Sequence, residues 1–258
     1  MRRLGDAEVR EAAELLVGAR EGRVALAGLP AELTPEDTAD VQRIIDAVSA
    51  RVGRPVRGWK SYTVYKPTQP PFYAPIYDVL PSGAEIPSDL ARARLIEPEI
   101  MFRADRDLPA RDAAYPIGEI MDAVTAVIGF EVIGSRYRSD ATTGQGSLYG
   151  SYADHIANGG IVVGDAIPGW RDVAFEDVAV RVTEGDREIA SVVGAHPFDN
   201  PFLPVVVGVN RIRRGAGVKA GDVIVTNSST SYLHVQAGVV IRAVYAGLGE
   251  VTATIAAA

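Results

Sequence analysis

The stretch from residue 95 to 105, LIEPEIMFRAD, sets Glu97 and Glu99 two positions apart among Leu95, Ile96, Ile100, Met101 and Phe102. Apolar neighbours on both sides predict a strand that enters the protein, where an unpaired carboxylate is costly. On such a strand Glu97, Glu99, Met101 and Arg103 share one face, and Ile96, Pro98, Ile100 and Phe102 the other. Same-face neighbours stand roughly 7 Å apart at the backbone, a span that two carboxylates can close onto one hard cation. Pro98 offers no ladder donor, so the strand is expected at an edge or paired on one side only, with its carboxylate face open to a cleft. A solvated strand edge with two idle glutamates is the alternative. A third acid, Glu131 in GFEVIGSR, again sits in apolar company. An oxygen-liganded Mg²⁺ or Mn²⁺ is the simplest relief for three repelling carboxylates, and it leaves positions for water and a chelating substrate. With no cysteine, and with His155, His196 and His234 far apart in the chain, zinc fits less well.

Two further groups could move protons. Lys60, in GWKSYTVYK at the end of a predicted strand from Val56 to Trp59, lies beside an aromatic. Near a divalent ion its pKa would fall, which suits a proton shuttle. Asp78, in YAPIYDVLP, is a second acid at the end of a loop, where aspartates usually cap or turn. GQGSLYG, residues 144–150, lacks the strand–turn–helix setting of a dinucleotide loop and reads as a turn. Neither a GxSxG elbow nor a P-loop is present.

The elements that must position these groups change character along the chain. The first part is helical: Asp6 is the expected cap of one helix, and Thr34 with Pro35 the start of another that runs to Gly53. Pro55 to about Pro87 is rich in proline and tyrosine (Tyr62, Tyr65, Tyr73, Tyr77), and KPTQPPFYAP is too proline-dense for a regular element, so a long ordered loop is expected. The Glu97 strand follows, then a third helix entered through Pro116 with Ile117, Ile120, Met121, Val124, Val127 and Ile128 on its buried face. Beyond Gly129 the sequence breaks into short β-branched runs split by glycines. These patterns predict an α+β fold: a helical N-terminal layer over residues 1–54 and a mostly β, mixed-sheet roll or barrel over 55–258 that carries the metal.

The bulk numbers exclude several classes. At 258 residues, 47% hydrophobic and 23% charged, the chain can bury a large core without staples. A formal charge of −7 with scattered Lys and Arg gives no surface for a nucleic-acid backbone. No apolar run approaches the roughly 20 residues of a membrane span, and the N-terminus turns acidic before a signal-peptide core, so no membrane partner and a cytoplasmic location are expected.

Taken in order, these segments resemble the fumarylacetoacetate hydrolase superfamily, in its branch of 2-keto-4-pentenoate hydratases and 4-oxalocrotonate decarboxylases. The resemblance rests on IEPEIMFRADRDLP, on Gly58-Trp59-Lys60, on Asp78 after a proline-aromatic loop, on Glu131-Val132-Ile133-Gly134-Ser135-Arg136, on Asp154-His155-Ile156-Ala157-Asn158-Gly159 and on VKAGDVIVTNSST. It implies Mg²⁺ or Mn²⁺ on Glu97, Glu99 and Glu131, catalysis by Lys60 and Asp78, and substrate binding by Val79, Asp154, Asn158 and Ser228. It further implies a small 2-oxo or 2-hydroxy-dienoic acid as substrate, a lyase active in aromatic catabolism, and a homo-oligomer. The reaction would be hydration of a 2-hydroxy-2,4-dienoate. The alternatives are decarboxylation of a 2-oxo-dioate and a catalytically silent metal-binding paralogue. No histidine precedes residue 155, which counts against the branch that hydrolyses C–C bonds. Ser61 to Tyr65, His155, Asn158 and Asn227 depart from the branch's pattern, so the pocket lining differs.

Overall fold

The computed structural model describes residues 2–24, 26–62, 72–137 and 147–257. It opens with helices α1 (Asp6–Arg20) and α2 (Thr38–Val52). Gly5, rather than Asp6, is the cap of α1, and its N–H is taken by the Glu8 carboxylate at 2.7 Å. α2 starts later than the Thr34–Pro35 signal implied. The Thr34 hydroxyl is engaged by the carbonyls of Leu29 and Pro30, so Asp37 caps instead, accepting from the Asp40 N–H at 2.8 Å. Gly53 ends α2 with φ 61°, a left-handed position that suits glycine. The helices bury Val9, Ala12, Ala13, Leu16, Ile44 and Val48 against each other, while Val41 and Ile45 of α2 pack on Phe72 and Ala74.

Those last two residues belong to the main sheet, whose order is β2 (Phe72–Ile76), β1 (Gly58–Tyr62), β10 (Val223–Val225), β5 (Leu95–Ala104), β6 (Val124–Ile133), β7 (Asn158–Ala166) and β3 (Val79–Pro81), with β11 (Leu233–His234) also on β5. A second, five-stranded sheet runs β4 (Ala84–Ile86), β13 (Gly249–Ile255), β12 (Val240–Tyr245), β8 (Ala179–Glu184), β9 (Arg187–Val193). Parallel pairs β1–β10, β3–β7 and β4–β13 mix with antiparallel ones, so this is the mixed α+β roll the sequence predicted. The main sheet curls into a half-barrel. Its inner face carries Ile76, Met101, Val127, Ile161, Val223 and Val225, and its outer face carries Trp59, Ile96, Ile100, Phe102, Ile128 and Phe130 into the large core beneath the second sheet and helix α5 (Phe202–Ile212).

Three expectations are corrected here. The third helix is a single turn, α3 (Ile117–Met121); Val124, Val127 and Ile128 lie on β6, because a β-branched run that pairs with β5 along ten registered positions gains more as a strand. β5 is central rather than an edge, although its pairing is interrupted on one side, between β10 and β11. The Pro98 carbonyl faces that side, accepting from the Ser229 N–H at 3.3 Å, so the proline nitrogen points where no ladder bond is required. The loop expected from Pro55 to Pro87 contains β1 to β4; its most proline-dense part, and the start of GQGSLYG, lie outside the described residues, while α4 (Leu148–Ala153) takes in the rest of that glycine-rich motif.

Candidate functional site

The register of β5 and β6 assembles the acids. Glu97 stands directly opposite Glu131, and Glu99 opposite Gly129, so all three carboxylates share the inner face at one end of the half-barrel. A ligand oxygen from each lies within 4.8 Å of the others. Met101, next on that face, joins the apolar plug below them. Lys60 reaches the cluster from β1, and only the curl of the sheet allows it, since β10 and β5 stand between β1 and β6. Its Nζ lies 2.7 Å from Glu131 Oε1 and 3.2 Å from the Ile156 carbonyl. Trp59 points the other way, into the outer core, where its indole N–H donates to Asp222 at 2.9 Å.

Two contacts hold the carboxylates in place. Asn158 Nδ2 donates to Glu131 Oε1 at 2.8 Å, and the Thr226 N–H donates to Glu99 Oε2 at 3.0 Å. The Thr226 hydroxyl donates to the Ile100 carbonyl at 2.7 Å and lies 3.3 Å from His196 Nε2. Glu97, Glu99 and Glu131 open onto a cavity of about 330 Å³ that Lys60, Tyr152, Ile156, Thr226, Asn227 and Tyr232 help to line.

Charge is unbalanced here. Burial, then the charge of Glu131, pushes Glu97 up to about 7 against the opposing pull of Lys60. Burial, then Glu131 and Glu97, raise Glu99 well above the usual carboxylate range. For Lys60 burial alone would lower the pKa, but the charges of Glu131 and Glu97 outweigh it and raise it while the carboxylates hold no cation. One ammonium faces three carboxylates, and Glu131 Oε2 is buried without a hydrogen-bond partner. An oxygen-only donor set with an orphaned carboxylate oxygen fits a hard divalent cation.

The other sequence candidates disperse. Asp78 lies away from Lys60, in a bidentate pair with Arg54 at 2.7 and 3.0 Å, and Val79 begins β3 beside it. Chain topology explains the separation: Asp78 leads into β3 at the far edge of the sheet, beyond β7. Asp154 is buried in an ion pair with Arg136 and makes no contact with the cluster. The Ser228 hydroxyl turns to the Pro98 carbonyl at 3.4 Å, though its backbone bridges to Glu99. Of the four expected substrate contacts, Asn158 alone bonds a cluster carboxylate through its side chain. Among the described residues Tyr152 and Tyr232 wall the cavity, whereas Tyr73 packs on Trp59 and Tyr77 lies under Arg20 and Arg54; Tyr65 lies outside the described residues. Tyr152 and Tyr232 had no signal in the sequence, and Thr226, though part of VKAGDVIVTNSST, gave none for its contact with Glu99, because what these residues contribute is set by the cavity and not by local spacing.

Comparison with known proteins agrees with this fold. No protein-family profile matches the chain. It is 27% identical over 265 residues to the TodF product hydratase of Pseudomonas putida strain F1, covering 97% of this chain and 96% of that one. To the 2-keto-4-pentenoate hydratase of Burkholderia vietnamiensis it is 27% identical over 161 residues, 62% of this chain and 59% of the relative. Among solved structures, 4-oxalocrotonate decarboxylase from Pseudomonas putida G7, complexed with magnesium and adipate, superposes with a TM-score of 0.77 at 21% identity, over 99% of this chain and 100% of the other. Fumarylpyruvate hydrolase from Pseudomonas aeruginosa, with Mn²⁺ and pyruvate, gives 0.54 at 16% identity over 80% and 91%. With this fold, these relatives and a three-glutamate cluster on facing strands, the chain is similar to members of the fumarylacetoacetate hydrolase superfamily, in its hydratase and decarboxylase branch.

Proposed function

We propose that the protein is a divalent-cation-dependent hydro-lyase that adds water to a 2-hydroxy-2,4-dienoate of the 2-keto-4-pentenoate kind, yielding a 4-hydroxy-2-oxo acid. The observation that carries this reading is the convergence of Glu97, Glu99, Glu131 and Lys60 on one cavity. Likeness to a hydratase along nearly the whole chain supports the reaction class. Glu97, Glu99 and Glu131 would hold Mg²⁺ or Mn²⁺. Such an ion, when bound, supplies a chelation point and charge stabilisation for the carboxylate and C2 oxygen of a 2-oxo or 2-hydroxy acid.

The chain's own groups do the rest. Lys60, held as an ammonium by Glu131 and Glu97, is the proton donor facing the cavity. It protonates C5 while the C2 hydroxyl gives up its proton to water, so the dienol becomes the conjugated 2-oxo-3-enoate. Water then adds across C3 and C4, its oxygen to C4 and a proton to C3. Asn158 and the Thr226 N–H keep Glu131 and Glu99 oriented during turnover, and Tyr152 and Tyr232 wall the substrate's far end. Asp78, paired with Arg54, takes no part.

Decarboxylation of a 2-oxo-dioate is the second reading, favoured by the full-length structural likeness to 4-oxalocrotonate decarboxylase. The test incubates the protein with Mg²⁺ or Mn²⁺ and either 2-hydroxypenta-2,4-dienoate or a 2-oxo-hexenedioate. Loss of dienol ultraviolet absorbance with formation of the 4-hydroxy-2-oxo acid is expected. CO₂ release from the dioate without hydration moves the assignment to decarboxylase, and inertness toward both leaves a silent metal-binding paralogue.

A further inference from the structure

His155, Ile156 and Ala157 have φ of 51°, 57° and 55°, a left-handed turn made without a single glycine. Crowding of Cβ against the backbone disfavours this region for every L-residue, and a β-branched residue such as Ile156 is among the least suited to it. Such a turn persists only where its surroundings over-determine it. They do so here from several sides. The Arg136 guanidinium donates to the carbonyls of Asp154 and Asn158, the residues that flank the turn, and also to the Asp154 carboxylate. The Arg136 N–H adds a bond to Asp154 Oδ2 at 2.7 Å, and the Gly134 N–H donates to the Ala157 carbonyl at 2.8 Å. From α1, Arg20 reaches His155 Nδ1 at 3.2 Å, and the Ile156 side chain is seated among Val41, Ile45, Phe72 and Ala74.

What the turn presents is the Ile156 carbonyl, 3.2 Å from Lys60 Nζ, with Asn158 following directly and bonding Glu131. An extended or right-handed Ile156 would swing that carbonyl out of line. We propose that the buried Arg136–Asp154 pair is a clamp that holds this left-handed turn so that the Ile156 carbonyl aims Lys60 into the cavity. Arg136, Asp154 and Ala157 are then positioning residues for the proton donor, and Asp154 is not a substrate contact. The inference rests on the hydro-lyase reading for its kinetic consequence.

The test compares the wild type with Ala157→Gly and Asp154→Asn at saturating Mn²⁺. Glycine is at ease in the left-handed region, so Ala157→Gly keeps Tm within about 3 °C of the wild type. The turn it leaves is looser, and kcat falls about tenfold or more with KM within about threefold. Asp154→Asn lowers kcat in the same pattern. Full kcat in Ala157→Gly overturns the inference, as does an Asp154→Asn variant with raised KM and unchanged kcat. If the wild type turns over neither dienoate nor dioate, the functional reading fails, and the clamp is then read by reductive methylation of Lys60 followed by mass spectrometry. Several-fold faster modification in Ala157→Gly supports it, and equal rates overturn it.

Discussion

Lys60 and the carboxylates determine each other's charge. With its Nζ 2.7 Å from Glu131, the lysine neutralises part of a cluster that a cation would otherwise occupy alone. Lys60→Met should therefore bind Mn²⁺ at least as tightly as the wild type while kcat drops by about 10² or more; calorimetric titration and the dienol assay measure the two. Asp78→Asn should change kcat by less than about threefold, because its carboxylate is held by Arg54 outside the cavity. A larger loss in the steady-state assay would bring Asp78 back into the chemistry. In the folded chain Glu97 is pushed up to about 7 and Glu99 is held well above the usual carboxylate range, both above an unfolded carboxylate. The stability these groups contribute is complete at acid pH, below the unfolded value, and is lost as pH rises through the folded values. Under chelator, Glu97→Gln should thus gain in Tm relative to the wild type between about pH 6 and pH 8. Since metal binding displaces those protons, the rise in Tm with Mn²⁺ should be larger at about pH 8 than at about pH 6. Thermal scans at the two pH values check both signs.

At the scale of elements, the β5–β6 ladder acts as the ruler of the site. Ten registered pairs fix Glu97 opposite Glu131, and a slip of β5 by one position would send Glu97 and Glu99 into the outer core. Gly129 sits opposite Glu99 where the strands pack closely: a Cβ there would lie 2.6 Å from Met101 Sδ and 2.7 Å from the Val162 carbonyl. The methionine can shift, whereas the backbone of β7 cannot without moving the ladder. Gly129→Ala should destabilise the protein by about 1–3 kcal/mol, a loss of roughly 3–10 °C in Tm, and weaken Mn²⁺ binding alongside. Calorimetry and metal titration on one sample test whether the two fall together. The same ladder explains the misread helix. Val124, Val127 and Ile128 have helical spacing, but their β-branched neighbours and the waiting edge of β5 decide for a strand.

Across the whole molecule, the cavity is assembled from parts distant in the chain: β1, β5, β6, α4, the turn before β7, and β10 with the segment after it. None of them alone makes a site, so a ligand that bridges them should stabilise the entire fold. At a hundred times its dissociation constant a cation adds about 2.7 kcal/mol, or roughly 5–10 °C in Tm, which EDTA should reverse. Oxalate or pyruvate should raise Tm further only when Mg²⁺ or Mn²⁺ is present, as coupled ligands do. Equal shifts by oxalate with and without metal would separate the acid-binding site from the carboxylate cluster. Among the described residues no helix is long and apolar enough to cross a membrane.

The sequence by itself determined the metal-type cluster and the general architecture. Two-residue alternation in LIEPEIMFRAD puts Glu97 and Glu99 on one face wherever the strand lies, and β-branched runs between glycines leave little but a mixed sheet. Tertiary structure decided everything that depends on how far apart strands come to rest. The curl brings Lys60 to Glu131 across two intervening strands, while the same winding carries Asp78 to the opposite edge and locks Asp154 under Arg136. Side-chain alternation is a property of neighbouring residues and can be read locally. Which distant strands meet depends on register, curvature and buried charge pairing, which are settled only when the chain closes on itself.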